Sequence, residues 1–277
     1  MSFLVNPFIS FPVVGGGGGA DISGFTATGN SISLGGIIST PRNFRFKPDG
    51  TEVYVISSAT NQLAQYSLST AWDLSTASYT STSNAFTSLV SGSLCYGFDF
   101  NSAGTRLHVI SDGANAIRTF NTSTAWDFST LTYSGVTFSV STQDSNGRGM
   151  AWGSGGVGLY MVGASADKVF KYNSTAYNVG SLSFTAGQEF SVASQETAGI
   201  GFWVSEEEDV VLVCGLVADT VFQYTMSTAG DASTGSYSGT SIDVSGTMTN
   251  PSGVYMKPDY SALYILDTTS DSIYEYA

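Results

Sequence analysis

One period organises this chain. Phe46, Phe100, Trp152, Val204 and Met256 recur at spacings of 54, 52, 52 and 52 residues. The same spacings connect Tyr54, His108, Tyr160, Leu212 and Tyr264, and again Tyr66, Phe120, Tyr172, Tyr224 and Tyr276. An outer segment gives a fourth register: Ile32, Phe86, Phe138, Phe190 and Ile242. A fixed period of about 50 residues implies one supersecondary module per unit, each burying its apolar surface against the next.

Each unit holds four short segments of strand character. TEVYVIS around Tyr54 is a continuous β-branched and aromatic run, as buried inner strands require. Its counterparts are TRLHVIS, VGLYMVG, DVVLVCG and SALYILD. The connection KPDGT before it is turn chemistry, with Pro presetting φ, Asp bonding its own backbone and Gly accepting a positive φ. Four-stranded antiparallel units repeated five times predict an all-β, five-bladed β-propeller. The last unit stops at Tyr276, after its third segment, and the chain opens with a lone outer segment around Ile32. An N-terminal strand completing the last blade closes the ring and removes an exposed edge. The expected organisation is a propeller over residues 21–277, preceded by an extended apolar peptide and glycine linker over residues 1–20.

Composition narrows the function. Of 277 residues, 42% are hydrophobic, so the core needs no disulfide, metal or cofactor to form. Acidic residues outnumber basic ones by thirteen, a field that repels phosphate backbones and anionic lipid surfaces, so neither nucleic acid nor membrane is an expected partner. No apolar run reaches transmembrane length, and MSFLVNPFISFPVV lacks the basic start and small-residue cleavage site of a secretion signal. Cys95 and Cys214 fall at non-equivalent points of the repeat and read as small buried hydrophobes, with a disulfide left open.

Catalysis finds little support. The single histidine, His108, occupies a slot filled elsewhere by Tyr and Leu and reads as a core residue, leaving no triad and no histidine-based metal cluster. Asp99, Asp144 and Glu196 could supply a carboxylate pair for glycoside hydrolysis only if the fold converged them. The run Glu206 to Asp209 reads first as a solvated hairpin tip and second as a weak calcium site. A ring of polar residues lies five positions before the third-segment aromatic: Asn61, Asn115, Asp167, Asp219 and Asp271. Asn and Asp nucleate turns there; the functional alternative is a set of glycan pockets. Trp72 and Trp126, in the loop after the third segment, read as caps between blades or as sugar platforms. In the N-terminal peptide, Phe3, Leu4, Val5, Pro7, Phe8 and Phe11 belong to a stretch without charge, followed by five glycines. Such a stretch implies a partner surface on a flexible tether.

Two resemblances follow from these residues. F-K-P-D-G-T-E-V-Y-V, from Phe46 to Val55, resembles the YVTN-type propeller repeats. STAWDLSTASY (Ser69 to Tyr79) and STAWDFSTLTY (Ser123 to Tyr133) resemble repeats in virion proteins of marine bacteriophages, and MSFLVNPF resembles the start of small phage structural proteins. The later copies STAYN and STAGD lose the Trp. The resemblance implies a non-enzymatic virion structural protein, a capsid decoration, fibre or knob. Its N-terminal peptide would hold other capsid or tail proteins, and its propeller would contact host surface carbohydrate. A free carbohydrate-binding propeller lectin is the alternative.

Overall fold

A computed structural model describes residues 20–83, 86 and 94–277. The N-terminal residues proposed as an anchor, Phe3 to Phe11, lie outside the described residues. The first strand among the described residues is β1 (Ala27–Ser33). Blade one is β2 (Pro41–Phe46), β3 (Glu52–Ser57), β4 (Gln62–Leu68) and β5 (Ala77–Thr82). Blade two is β6 (Cys95–Phe100), β7 (Arg106–Ser111), β8 (Ala116–Asn121) and β9 (Thr132–Ser139). Blade three is β10 (Gly147–Gly153), β11 (Gly158–Gly163), β12 (Lys168–Asn173) and β13 (Ser183–Ser191). Blade four is β14 (Gly199–Val204), β15 (Val210–Gly215), β16 (Thr220–Met226) and β17 (Gly235–Asp243). Blade five is β18 (Pro251–Met256), β19 (Leu263–Asp267), β20 (Ser272–Tyr276) and, from the other end of the chain, β1. The protein is therefore an all-β, five-bladed propeller of four-stranded antiparallel blades.

The ring closes as the sequence predicts. Ile32 in β1 stands opposite Ile273 in β20, as Phe138 stands opposite Ile117, Phe190 opposite Val169 and Ile242 opposite Val221. Thr26 and Ala277 exchange both backbone hydrogen bonds at 3.1 Å.

One expectation is located more closely and one needs correction. The strands that line the axis are the first of each blade, β2, β6, β10, β14 and β18, which pack in a ring. The TEVYVIS-type segments stand second, covered on both faces, which is why they read as continuous apolar runs. Val55, Val109, Met161, Val213 and Ile265 are accordingly at most 1% exposed. The outer register also slips at one position. Phe86 donates its N–H to the carbonyl of Asn61, the bond that Leu34, Val140, Val192 and Val244 make to Asp271, Asn115, Asp167 and Asp219. Phe86 thus corresponds to Leu34 rather than Ile32, and Ser83 takes the Ile32 position opposite Leu63. The first unit carries its two extra residues after Phe86, in the connection to blade two.

The apolar core is divided into five layers, one between each pair of adjacent blades. Around the axis the blades approach closely: a Cβ on Gly97 or Gly149 would overlap a carbonyl of the next blade's innermost strand. Arg45 fills the axis. Its guanidinium donates to Asn43 Oδ1 (2.8 Å), to the carbonyl of Phe44 (2.9 Å), and across the ring to the carbonyls of Met150 (2.6 Å) and Phe202 (2.9 Å). Asp99 of blade two lies 3.7 Å from its Nε. Burial pulls the guanidinium below its usual range and pushes the Asp99 carboxyl up, and their mutual attraction opposes both shifts. One charged side chain thereby ties together four blades.

Candidate binding site between the blades

The two ends of the propeller carry different loops. The turns from second to third strand, and the connections between blades, lie at one end. The Lys-Pro-Asp-Gly turns and the loops holding Trp72 and Trp126 lie at the other, hereafter the Trp end. The polar ring and the tryptophans are therefore on opposite ends and do not form joint pockets.

The polar ring is turn machinery. Asn61, Asn115, Asp167, Asp219 and Asp271 all have left-handed backbone, with φ between 43° and 51°, a conformation Asn and Asp tolerate better than other side-chain-bearing residues. Their carbonyls anchor the ends of the outer strands through the five bonds described above. The Asn61 side chain also accepts the N–H of Cys95 in the next blade (2.9 Å). The Asp271 carboxyl is raised by burial and, secondarily, by Asp267.

At the Trp end, each of blades one to four uses a short 3-10 turn after its third strand. Asp73, Asp127, Asn178 and Asp231 cap these turns by accepting from the N–H two residues on. Just before the cap, Trp72 (φ 70°), Trp126 (φ 65°), Tyr177 (φ 55°) and Gly230 (φ 74°) adopt left-handed backbone. Each donates its N–H to one residue of the preceding hairpin turn: Gly50, Gly104, Gly156 and Glu208. In the first three blades the aromatic ring lies flat on that glycine, so that a Cβ there would overlap it. In the fourth blade the pair is exchanged: the turn carries Glu208 (φ 56°) and the loop carries Gly230.

This exchange overturns the reading of Glu206 to Asp209 as a wholly solvated tip. Glu208 is 3% exposed, and its carboxylate accepts from Tyr160 Oη (2.7 Å) and Lys171 Nζ (2.8 Å) of blade three. Among the described residues no three His, Cys, Asp or Glu side chains converge on a metal-sized site. The other ionisable candidates are also buried and separate. Asp144 accepts from the N–H groups of Asn146, Ser165 and Ala166, and Glu196 from those of Ala198 and Ala218, while Asp99 lies in the axis. His108 is fully buried, bonded to Thr119 Oγ1 (3.1 Å) and edge-on to Trp152, and burial pushes it down to about 3. Cys95 and Cys214 are both free and buried, and burial raises both thiols, Cys95 to about 12.

The five positions between blades at the Trp end consequently differ. Between blades four and five, where a fifth loop would sit, the chain's own entering segment is packed: Ala20 and Ile22 are buried and the Ile22 N–H reaches Gln223 Oε1 at 3.3 Å. Between blades three and four the Lys171–Glu208 pair fills the gap, while Tyr177 packs edge-on against Trp152 of its own blade. Two equivalent positions, beside Trp72 and Trp126, hold open clefts. One, of about 440 Å³, lies between blades one and two and is lined by Lys47, Glu52, Gln65, Trp126, Asp127 and Ser129, among others. The second, about 260 Å³, lies between blades five and one, with Lys257, Trp72, Asp73, Tyr264, Glu275 and Asn30 on its walls. In the first, Tyr54 Oη and Gln65 Nε2 (2.8 Å) both donate to Glu52, and Lys47 lies 3.5 Å from its other oxygen. Tyr54 also donates to the carbonyl of Trp126 (3.1 Å), and Tyr264 to that of Trp72 (2.7 Å). Burial first, and Glu52 second, raise the Tyr54 hydroxyl, which stays protonated as a donor. Each cleft thus combines a half-buried indole with an ammonium, carboxylates and amides. The tryptophans were legible in sequence. Lys47, Lys257, Glu52, Gln65 and Glu275 were not, because they come from the facing blade.

No family model matches the chain, and no curated protein matches it. Solved structures with the same fold do. They include a functionally unknown protein from Desulfotomaculum acetoxidans (TM-score 0.50, 15% identity, 85% of this chain and 64% of that one). A protein from Lactobacillus plantarum follows (0.53, 14%, 86% and 67%). A candidate 6-phosphogluconolactonase from Bacteroides uniformis is also similar (0.52, 13%, 82% and 64%). The chain thus spans about two thirds of their lengths. At these identities the likeness defines the fold, a β-propeller, and the fold carries many activities.

Proposed function

We propose that this protein acts by display and binding rather than catalysis: a bacteriophage virion structural protein whose N-terminal peptide attaches it to other capsid or tail proteins and whose Trp end contacts host surface carbohydrate. The observation that carries the binding half is the pair of equivalent open clefts with Trp72 and Trp126, where the matching places between blades three and four and between four and five are filled by Lys171 with Glu208 and by Ile22. Sugar rings offer an apolar face to an indole and hydroxyls to carboxylates and amides, and these clefts hold both kinds of group. The buried state of His108, Asp144, Glu196 and Glu208 supports the non-enzymatic reading, because none is presented to a substrate. The STAWD repeats support the virion setting by resemblance. The apolar side chains Phe3, Leu4, Val5, Phe8 and Phe11 suit docking onto another subunit, by strand addition to a free sheet edge. The experiment compares the full chain with one beginning at Ala20, measuring melting temperature and incorporation into particles. Equal melting with lost incorporation is expected; equal incorporation removes the anchor. A free lectin, the second reading, predicts glycan binding with no particle association by either chain.

A further inference from the structure

The end opposite the tryptophans carries a cation pair that the binding clefts do not use. At this end every innermost strand is interrupted as it starts: register shifts fall between Pro41 and Asn43, Cys95 and Gly97, Gly147 and Met150, Gly199 and Gly201, and Pro251 and Gly253. Such bulges re-aim side chains, here around the mouth of the axis. The interrupted positions carry, in order around the ring, Arg42, Tyr96, Arg148, Ile200 and Ser252.

Blade order places Tyr96 between the two arginines. Its ring has the guanidinium carbon of Arg42 at 5.2 Å from its centre and that of Arg148 at 4.8 Å. Tyr96 is buried and the arginines are half-buried. Arg42 donates Nε–H to Ser58 Oγ (3.1 Å) and Arg148 donates Nε–H to Asn146 Oδ1 (3.2 Å). Among the described residues no acceptor engages the terminal nitrogens of either, and neither has a carboxylate within ion-pair distance. Among the described residues Arg106 and Arg118 also lack an ion pair, whereas Arg45, Lys47, Lys168, Lys171 and Lys257 each have one. In a chain with 22 acidic and 9 basic residues, two arginines left without a carboxylate beside the same ring are unexpected. Asp112, Asp144, Glu196 and Asp267 make no ion pair with them and accept backbone N–H groups.

We propose that Arg42 and Arg148, set on Tyr96, form an oxyanion-binding site at this mouth of the propeller, for a small ligand bearing a carboxylate or a phosphate. A guanidinium keeps its charge at any physiological pH and offers paired N–H donors matched to the two oxygens of a carboxylate or phosphate. Stacking on the tyrosine holds each donor plane in place, so less side-chain freedom is lost on binding. An anion beside the ring is attracted by both cations at once.

The test titrates the full chain with sodium glucuronate, with inorganic phosphate and, as the uncharged control, with glucose, at constant ionic strength by calorimetry. Saturable one-to-one binding of glucuronate or phosphate, and none of glucose at this site, is expected; which of the two binds tells carboxylate from phosphate. Arg42→Gln and Arg148→Gln should each weaken it about tenfold or more, as expected for loss of a charged hydrogen-bonding group. Arg106→Gln removes the same charge from an exposed position at the Trp end and should leave it unchanged. If a Gln variant does not fold, Arg42→Lys and Arg148→Lys are read instead, and these too should weaken binding. Absence of saturable binding by both anions overturns the proposal, and so does equal weakening by Arg106→Gln.

Discussion

The interface between blades one and two and that between blades three and four are built on the same backbone and closed by opposite chemistry. In the first, the turn residue Gly104 has φ 67° and the loop residue Trp126 lays its indole on it, against Tyr54 and Phe100. In the second, the glycine has moved to the loop, as Gly230, and the turn carries Glu208, whose carboxylate enters the neighbouring blade to meet Lys171 and Tyr160. The backbone needs two left-handed residues facing each other across one hydrogen bond, and either can be the glycine. Where the glycine is in the turn, an aromatic covers it, and beside the two tryptophans a cleft stays open. Where it is in the loop, an ion pair fills the gap. Repeat divergence has thus left a cleft at one of two equivalent positions and an ion-paired joint at the other without moving a strand.

The comparison is sharpest in the ionic joint. Lys171→Met should cost about 3–5 kcal/mol in urea unfolding, because it leaves the Glu208 carboxylate buried without its cation. Lys171→Met combined with Glu208→Gly, which restores the glycine of the other turns, should recover most of that loss. A double variant as weak as the single one would mean the ion pair itself holds the joint.

In the aromatic joint the glycine is expected to matter more than the ring. Gly104→Ala should cost about 2–4 kcal/mol, from a side chain at positive φ and overlap with the indole. Trp126→Ala, at a half-exposed ring, should cost about 1–3 kcal/mol. The double variant should cost clearly less than the sum, since the overlap is gone; additive losses would show that the two residues do not meet.

His108, in the joint between blades two and three, gives that interface a pH dependence. Its folded-state value, about 3, lies below the ordinary 6.5, so between those values the unfolded chain holds a proton that the folded chain does not. The stability contributed by the neutral ring is present above pH 6.5 and is lost as pH falls, by about 1.4 kcal/mol per unit. His108→Leu, the residue blade four uses, removes this dependence. Between pH 7 and pH 5 the wild type should lose about 2 kcal/mol more than the variant in unfolding titrations. Parallel losses would place the histidine in contact with water.

Blade number, strand order and ring closure were legible because each rests on a local, repeated signal: the apolar second strand, the Pro-Asp-Gly turn, the unpaired segment at Ile32. The slip at Phe86 came from counting through a connection whose length differs in one unit, where spacing carries no strand information. The site was only half legible. Trp72 and Trp126 announced themselves as large aromatics in loops, but the walls opposite them belong to another blade. The polar ring was open to two readings, a turn first and a ligand site second, because Asn and Asp serve a left-handed turn and a sugar hydroxyl equally well. Glu208 was misread because a charged residue in a hairpin turn normally faces water, and the Gly230 that admits it lies 22 positions away.

The most direct test of the account is binding of the full chain to an array of neutral glycans, beside the double variant Trp72→Ala/Trp126→Ala held well below its own melting temperature. The account predicts that the wild type selects a defined set of glycans and that the double variant loses them at least tenfold, from stacking worth about 1.4 kcal/mol or more. Each single variant should keep one working cleft and lose only the avidity of the pair. Equal glycan binding by wild type and double variant, or none by the wild type, would contradict the assignment of the Trp clefts as the binding surface.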